Sequence, residues 1–204
     1  EQAEISSFAF TNPEGTLLAI ADTQGAVSIW DLTEPSSEPK HRLQCGSSIT
    51  DIEFSQNGRW LAAANEPHRN LRPVVQVICM WNAGDFGEPI FLPIVLSDPR
   101  EKITDIEFNS DGALLVSTGA DGAVRVWSID QNTSFPQPVD RFEGGAEWAV
   151  TSPNGRWLAV STTGGEVVLY DPQTLQRIVD LPGHVGQVSA LAFISDSTQL
   201  ATGD

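Results

Sequence analysis

The chain has 204 residues, of which 40% are hydrophobic, and it contains 17 glycines and 13 prolines. This composition suits a folded core joined by many turns. Its formal net charge is −16, a field that repels phosphate groups, so nucleic acid and anionic membranes are excluded as expected partners. The acidity favours either plain solubility or a basic partner. No apolar run approaches the roughly 18 residues of a transmembrane helix, and we expect a soluble chain.

The two cysteines, Cys45 and Cys79, lie in different sections of the chain and are not spaced as metal ligands. We therefore expect neither a disulfide framework nor a zinc site. A reducing cytoplasm is the expected location. No metal and no cofactor are predicted.

Short apolar runs separated by tight turns recur from the first residues onward. The order is run, turn, run, turn, run. It is seen at residues 5–31 and 103–130, and its later part returns at residues 54–82 and 150–171. The third copy, ITDIEFNSDGALLVSTGADGAVRVWSID, shows it most clearly, because Asp-Gly at both turns favours tight hairpins. Runs of this length are typical of strands rather than helices.

The repeat has a nearly constant period. Its turn glycines are Gly15, Gly58, Gly112 and Gly155, which are 43, 54 and 43 residues apart. A period of about 40–45 residues with four strands per unit is typical of propeller blades. The fourth strand of each unit is predicted after the last apolar run, at residues 40–43, 89–96, 139–142 and 177–181.

Each repeat ends on an aromatic residue followed by a polar one. These pairs are Trp30-Asp31, Trp81-Asn82, Trp127-Ser128 and Tyr170-Asp171, and Gly183-His184 opens a fifth repeat. With its Leu-Ala-Ser-like strands, the chain resembles the WD-repeat β-propeller family over nearly its whole length. The Pro/Ser/Glu-rich linker at residues 32–40 resembles those of bacterial members.

The resemblance implies an all-β fold of four-stranded antiparallel blades. The blades are expected at residues 1–43, 44–96, 97–142 and 143–182, and residues 183–204 supply the first two strands of a fifth. About four and a half repeats would leave open sheet edges, which closed rings avoid. We therefore expect part of a larger ring of seven or more blades. An arc completed by another chain is the alternative.

In this family a His, a Ser or Thr, an Asp and the strand Trp can form a buried hydrogen-bonded tetrad. The third repeat supplies Ser117, Asp121 and Trp127, but Pro99 stands near the His position. His184 and Thr202 would begin a tetrad in the fifth repeat. The resemblance implies a structural role for these residues.

The second repeat carries an insertion of eight residues between its second and third strands, because Leu61 to Trp81 spans 20 residues where the others need 12. The loop, residues 65–73, holds His68, Arg69 and Arg72 in a chain short of positive charge. It is either a tolerated surface insertion or a binding loop whose arginines hold carboxylate or phosphate.

No catalytic motif stands out: the sequence has no phosphate-binding Gly-Lys-Ser/Thr loop, no Gly-x-Ser-x-Gly turn and no His-Glu-x-x-His. We therefore predict a non-catalytic scaffold that presents its loops to a protein or peptide. Trp148 would be either a partner anchor or a core residue. The alternatives are the C-terminal sensor propeller of a bacterial signalling NTPase or protease, and a propeller glycosidase. The predicted partner-binding residues are His68, Arg69, Arg72, Ser48, Lys102, Trp148, Gln187, Thr23, Ala120 and Thr163.

Overall fold

The computed structural model describes residues 3–11, 15–66, 74–96, 102–129, 138–141 and 145–204. These residues form eighteen β-strands. Among them no helix has the length and hydropathy that crossing a membrane requires. The chain divides into two compact units, unit 1 from Glu1 to Ile103 and unit 2 from Thr104 to Asp204.

Unit 1 contains two antiparallel sheets of four strands, in which strands consecutive in the chain are neighbours. The first sheet consists of β1 (Ile5–Phe10), β2 (Leu17–Asp22), β3 (Ala26–Asp31) and β4 (His41–Gln44). The second consists of β5 (Ile49–Phe54), β6 (Trp60–Asn65), β7 (Val74–Asn82) and β8 (Ile90–Leu96).

Unit 2 repeats this topology twice and adds a hairpin. Its first sheet consists of β9 (Ile103–Phe108), β10 (Leu114–Gly119), β11 (Ala123–Ser128) and β12 (Pro138–Arg141). The second consists of β13 (Ala146–Thr151), β14 (Leu158–Thr162), β15 (Val167–Tyr170) and β16 (Arg177–Leu181). The hairpin pairs β17 (Ala190–Phe193) with β18 (Leu200–Gly203).

The strands form because small and β-branched residues alternate across them and bury one set of side chains between sheets. In unit 1 the core combines residues of both sheets, including Ala19, Ile29, Phe54 and Leu61. In unit 2 it combines residues of its two four-stranded sheets, including Val116, Val124, Val160 and Val168. The aromatic residues that end the repeats, Trp81, Trp127 and Tyr170, are almost fully buried. Each sheet therefore stabilises the next along the chain within its unit.

The predicted fourth strands lie within one residue of the observed ones. The strand expected at 40–43 runs from His41 to Gln44, and the one expected at 139–142 runs from Pro138 to Arg141. The strand expected at 89–96 begins at Ile90, and the one at 177–181 has the expected bounds.

Cys45 and Cys79 form a disulfide, so the expectation of no disulfide was wrong. The two residues are separated by 34 positions, but their Cα atoms lie 5.8 Å apart. Cys45 follows β4 of the first sheet, and Cys79 lies on β7 of the second. Sequence spacing could not reveal the pair, because the packing of one sheet on the next brings the two segments together. Both cysteines are buried, so the bond cross-links the two sheets inside the core of unit 1.

Candidate partner-binding surface

Three of the predicted binding residues lie in the tight turns between the second and third strands of their sheets. Thr23 lies between β2 and β3, Ala120 between β10 and β11, and Thr163 between β14 and β15. In each turn the residue two positions later is a glycine with positive φ, namely Gly25, Gly122 and Gly165. The turns are thus fixed by backbone geometry, as the sequences Asp121-Gly122 and Gly164-Gly165 predict for the two turns of unit 2.

In unit 2 the structure brings two of these turns together at Gly145, which precedes β13. Thr163 N donates a hydrogen bond to Gly145 O at 3.2 Å. A side chain at Gly145 would begin 3.5 Å from Ala120 Cα and 3.7 Å from Thr163 Cγ2. Both distances are ordinary van der Waals contacts, so Ala120 and Thr163 flank the start of the same strand, and it is the φ of +126° that favours glycine at this position.

Glu147 connects Gln187, a third predicted residue, to this group, and its neighbour Trp148 is the fourth. Gln187 Nε2, from the segment before β17, donates to Glu147 Oε1 at 2.9 Å. Glu147 O also accepts a hydrogen bond from Thr118 Oγ1, on β10, at 3.0 Å. Four predicted residues therefore gather around the first half of β13. We call this surface the turn face, and it consists of Ala120, Gly145, Glu147, Trp148, Thr163 and Gln187.

Trp148 reaches the turn face because β13 is irregular. Ala146 pairs with Thr162 and Ala149 with Val160, so one extra residue lies on β13 between these pairs. An extra residue of this kind redirects the neighbouring side chains, and Trp148 is 40% exposed. The N–H of Ala149, next to the irregularity, donates to Asp105 Oδ2 of β9 at 2.7 Å. Asp105 thus fixes the backbone that presents Trp148, and of the two alternatives for Trp148 the exposed one is observed.

At Gly165, a turn residue of unit 2, an added side chain would meet the backbone of the segment before β17. The φ of Gly165 is +87°, and a Cβ there would lie 2.6 Å from Gly186 O. We expect Gly165→Ala to lower the free energy of unfolding by about 2 kcal/mol or more, since left-handed geometry alone costs about 1–2 kcal/mol.

The matched control for this change is Gly183→Ala, because nothing lies within 4 Å of a Cβ at Gly183. Urea denaturation of both variants checks the prediction. Equal midpoints for the two variants would show that the turn is not constrained by Gly165.

The predicted residues of unit 1 are arranged less compactly. Thr23 and Glu4 exchange hydrogen bonds, from Thr23 N to Glu4 O at 2.9 Å and from Glu4 N to Thr23 Oγ1 at 3.1 Å. Ser48 O accepts a hydrogen bond from Glu66 N at 2.6 Å. Lys102 is exposed, next to the first residue of β9. His68, Arg69 and Arg72 lie outside the described residues.

The residues flanking the inserted loop form a buried polar group. Asn65 donates from Nδ2 to Cys45 O at 3.2 Å and accepts from Val77 N at 3.0 Å. Gln76 donates to Asn65 O and accepts from Ile103 N at 2.9 Å. The side-chain amides of Asn65 and Gln76 take the place of the backbone hydrogen bonds between β6 and β7 where the insertion interrupts this hairpin. Both are fully buried and hydrogen-bonded, so they fix the two ends from which the loop departs.

Ser117, Asp121 and Trp127 are close in one hairpin, but they do not form the hydrogen bonds of a tetrad. Among the described residues, Ser117 Oγ and Trp127 Nε1 have no hydrogen-bond partner. Asp121 forms a bidentate ion pair with Arg125, in which Arg125 Nη1 lies 3.2 Å from Asp121 Oδ1 and Arg125 Nη2 contacts Asp121 Oδ2. Sequence reasoning did not single out Arg125, and its only signal is a charge inside the apolar run AVRVW.

His184 and Thr202 do come together. His184 Nε2 and Thr202 Oγ1 share a hydrogen bond of 2.6 Å, in which the donor depends on the imidazole tautomer. His184 Nδ1 lies 3.4 Å from Asp204 Oδ2. The imidazole thus links the segment before β17 to β18.

A cavity of about 250 Å³ lies in unit 1, at the connection between β3 and β4. Lys40 Nζ lies 2.7 Å from Asp31 Oδ2, and Asp31 Oδ1 accepts from Thr33. The Lys40 and Thr33 hydrogen bonds hold the pKa of Asp31 well below its usual range. In the described part of the chain, no group of three or more His, Cys, Asp or Glu is placed to hold a metal ion. The cavity is lined by Trp30, Asp31, Glu34, Ser36, Glu38, Pro39 and Lys40.

Comparison with known proteins agrees with these sheets. The family model "WD domain, G-beta repeat" matches residues 37–66, 93–128 and 175–204. The chain is 26% identical over 199 residues to WD repeat-containing protein 1 of Xenopus tropicalis, covering 94% of this chain and 31% of that protein. It is also 26% identical over 197 residues to actin-interacting protein 1 of Drosophila melanogaster, covering 94% and 30%. The chain thus spans about a third of the length of these relatives.

A solved structure extends the likeness to the fold. The β-propeller domain of Cps50 (Swd1) from Myceliophteria thermophila superposes with a TM-score of 0.79 at 18% identity, covering 99% of this chain and 62% of that chain. The predicted fold class is thereby confirmed. The two relatives named above are from animals, so the bacterial affinity inferred from the linker stays a prediction. The sheets and this superposition together show that the chain has the β-propeller fold of four-stranded antiparallel blades, and three stretches of it are similar to the WD repeat.

Proposed function

We propose that the chain is a non-catalytic protein-binding module and that the turn face is its binding surface. The observation that carries the proposal is Trp148, a large aromatic side chain held half-exposed in the middle of a strand. Exposed aromatic residues on rigid elements are the usual anchors of protein interfaces. The hydrogen bonds of Thr163 and Gln187 to β13 and its preceding residue hold the neighbouring loops in place, which lowers the ordering cost of binding.

Actin is the first partner to test, because one of the relatives is named an actin-interacting protein. We expect the chain to co-sediment with actin filaments and Trp148→Ala to weaken binding by about 30-fold, which corresponds to the ~2 kcal/mol of an interface anchor. The matched control is Phe91→Ala, which removes an exposed aromatic residue from β8 in unit 1.

The possible outcomes distinguish a wrong choice of partner from a wrong choice of binding surface. If the unmodified chain does not co-sediment, actin is not its partner. If Trp148→Ala binds as well as the unmodified chain while Phe91→Ala does not, the turn face is the wrong surface.

Ser48, Thr23, Lys102 and the loop residues His68, Arg69 and Arg72 remain proposed contacts of a second, less compact surface on unit 1. Replacing Arg69 and Arg72 with Ala is expected to weaken partner capture and to change stability by no more than about 0.5 kcal/mol. Thermal unfolding and co-sedimentation of the double variant check both statements. Unchanged capture would remove the loop from the proposed site.

The alternative functions and the larger ring stay predictions. The chain's coverage of 62% of the fungal propeller domain supports a larger ring. An attached NTPase or protease domain in the full gene would support the sensor function, and two carboxylates facing one pocket about 5–10 Å apart would support a glycosidase. A cytoplasmic location also stays a prediction, and the Cys45–Cys79 disulfide argues against it, because such bonds are rare in that compartment.

A further inference from the structure

The turn face has an apolar part that extends beyond Trp148. Val185 lies two residues before Gln187, whose side chain is bonded to Glu147, and Val185 is fully exposed. The segment carrying Val185 is held against the β14–β15 turn, since a Cβ at Gly165 would lie 2.6 Å from Gly186 O and 3.1 Å from His184 O. A tryptophan and a valine thus stand exposed on neighbouring, fixed segments, and burying them would favour binding of an apolar side chain.

The charge of this surface has one sign. Among the described residues in and beside these turns, the acidic ones are Asp121, Glu147 and Glu166. Asp121 is matched by Arg125 in a buried ion pair. Within the described part of the chain, no ion pair joins a Lys or Arg to Glu147 or Glu166, and Glu166 is exposed. The described part of this surface therefore carries two carboxylates that are not ion-paired with a basic side chain described in the structure.

The surroundings strengthen this potential. Residues 104–204 contain four arginines, no lysine and 13 Asp and Glu, which gives unit 2 a formal charge of −9. A field of one sign around a binding surface attracts partners of the opposite sign and rejects those of the same sign.

Building on the proposed function, we propose that the turn face binds a basic peptide segment with one large apolar side chain. The apolar side chain packs against Trp148 and Val185, and Lys or Arg residues on either side of it lie near Glu147 and Glu166. The Gln187 hydrogen bond holds the Glu147 carboxylate at this edge. Acidic peptides are excluded by the same charges.

A random heptapeptide phage library tests the proposal, with the full chain as bait and Trp148→Ala as the parallel bait. We expect the selected peptides to carry net positive charge and a Leu, Ile, Met or aromatic residue. Synthetic copies should bind Trp148→Ala at least about 10-fold more weakly. They should also bind the double variant Glu147→Gln/Glu166→Gln several-fold more weakly at low salt, with the difference shrinking in high salt.

The outcomes distinguish this inference from the proposed function. Peptides that depend on Trp148 but are neutral or acidic would overturn the basic partner and leave the turn face as the binding surface. Peptides that bind Trp148→Ala equally well, or no enrichment over bait-free beads, would overturn both. The variant Phe91→Ala again serves as control, and its binding should equal that of the unmodified chain.

Discussion

Replacing Cys45 and Cys79 together with Ala is expected to lower the free energy of unfolding by about 4 kcal/mol. The disulfide closes a loop of 34 residues, and cross-links of that size stabilise by about 3–5 kcal/mol because they restrict the unfolded chain. Both positions are buried in the core of unit 1, so the loss of contacts between the sheets adds to the effect. Urea denaturation under oxidising conditions measures the difference.

The control for this prediction is the unmodified chain, reduced while unfolded and refolded with reductant. It should resemble the double variant in its unfolding midpoint. A stability that is the same in oxidised, reduced and substituted forms would show that the cross-link does not stabilise the fold.

Asp121→Ala is expected to lower the free energy of unfolding by about 3–5 kcal/mol. The side chains of Asp121 and Arg125 are each only 6% exposed. Removing the carboxylate leaves a buried guanidinium without its charge partner, which is among the most costly single changes in a protein. It also removes the acceptor for Ala123 N, bonded to Asp121 Oδ1 at 3.1 Å.

The double variant Asp121→Ala/Arg125→Met tests whether the loss of stability in Asp121→Ala comes from the unpaired charge of Arg125. Because burying an ion pair gains little over a well-packed apolar pair, the double variant should recover most of the stability lost in Asp121→Ala. Chemical denaturation of Asp121→Ala, Arg125→Met and the double variant gives the coupling free energy between the two side chains. Additive losses would contradict the buried pair and favour a role of Asp121 in the turn alone.

The elements that follow local rules were predictable from the sequence. Asp121-Gly122 indicates a tight hairpin, and the turn forms there because glycine accepts positive φ. The strands around it follow from short β-branched runs. The identical segment ITDIEF opens both β5 and β9, so recognising one strand locates the other. The fold class could therefore be predicted from the repeated pattern, because the turn glycines and the short β-branched runs both indicate antiparallel strands.

What the sequence did not reveal depends on how side chains are placed within a hairpin and between neighbouring sheets. Alternation places Arg125 on a strand but not beside Asp121, and the sequence cannot tell that Cys45 meets Cys79. The exposure of Trp148 depends on one extra residue in β13 and on Asp105 from β9. A one-residue irregularity changes which side chains face out, and no sequence motif marks it.

The cross-link between β7 and the segment after β4 has a practical consequence for making and handling this protein. A bacterial host with a reducing interior would yield two thiols at these positions, and intact mass would exceed that of the oxidised form by two hydrogen atoms. Secretion, or refolding with a glutathione redox couple, would yield the bonded form. Preparations from the two routes would differ in heat resistance although their sequences are identical, so the route of production has to be matched before any two variants are compared.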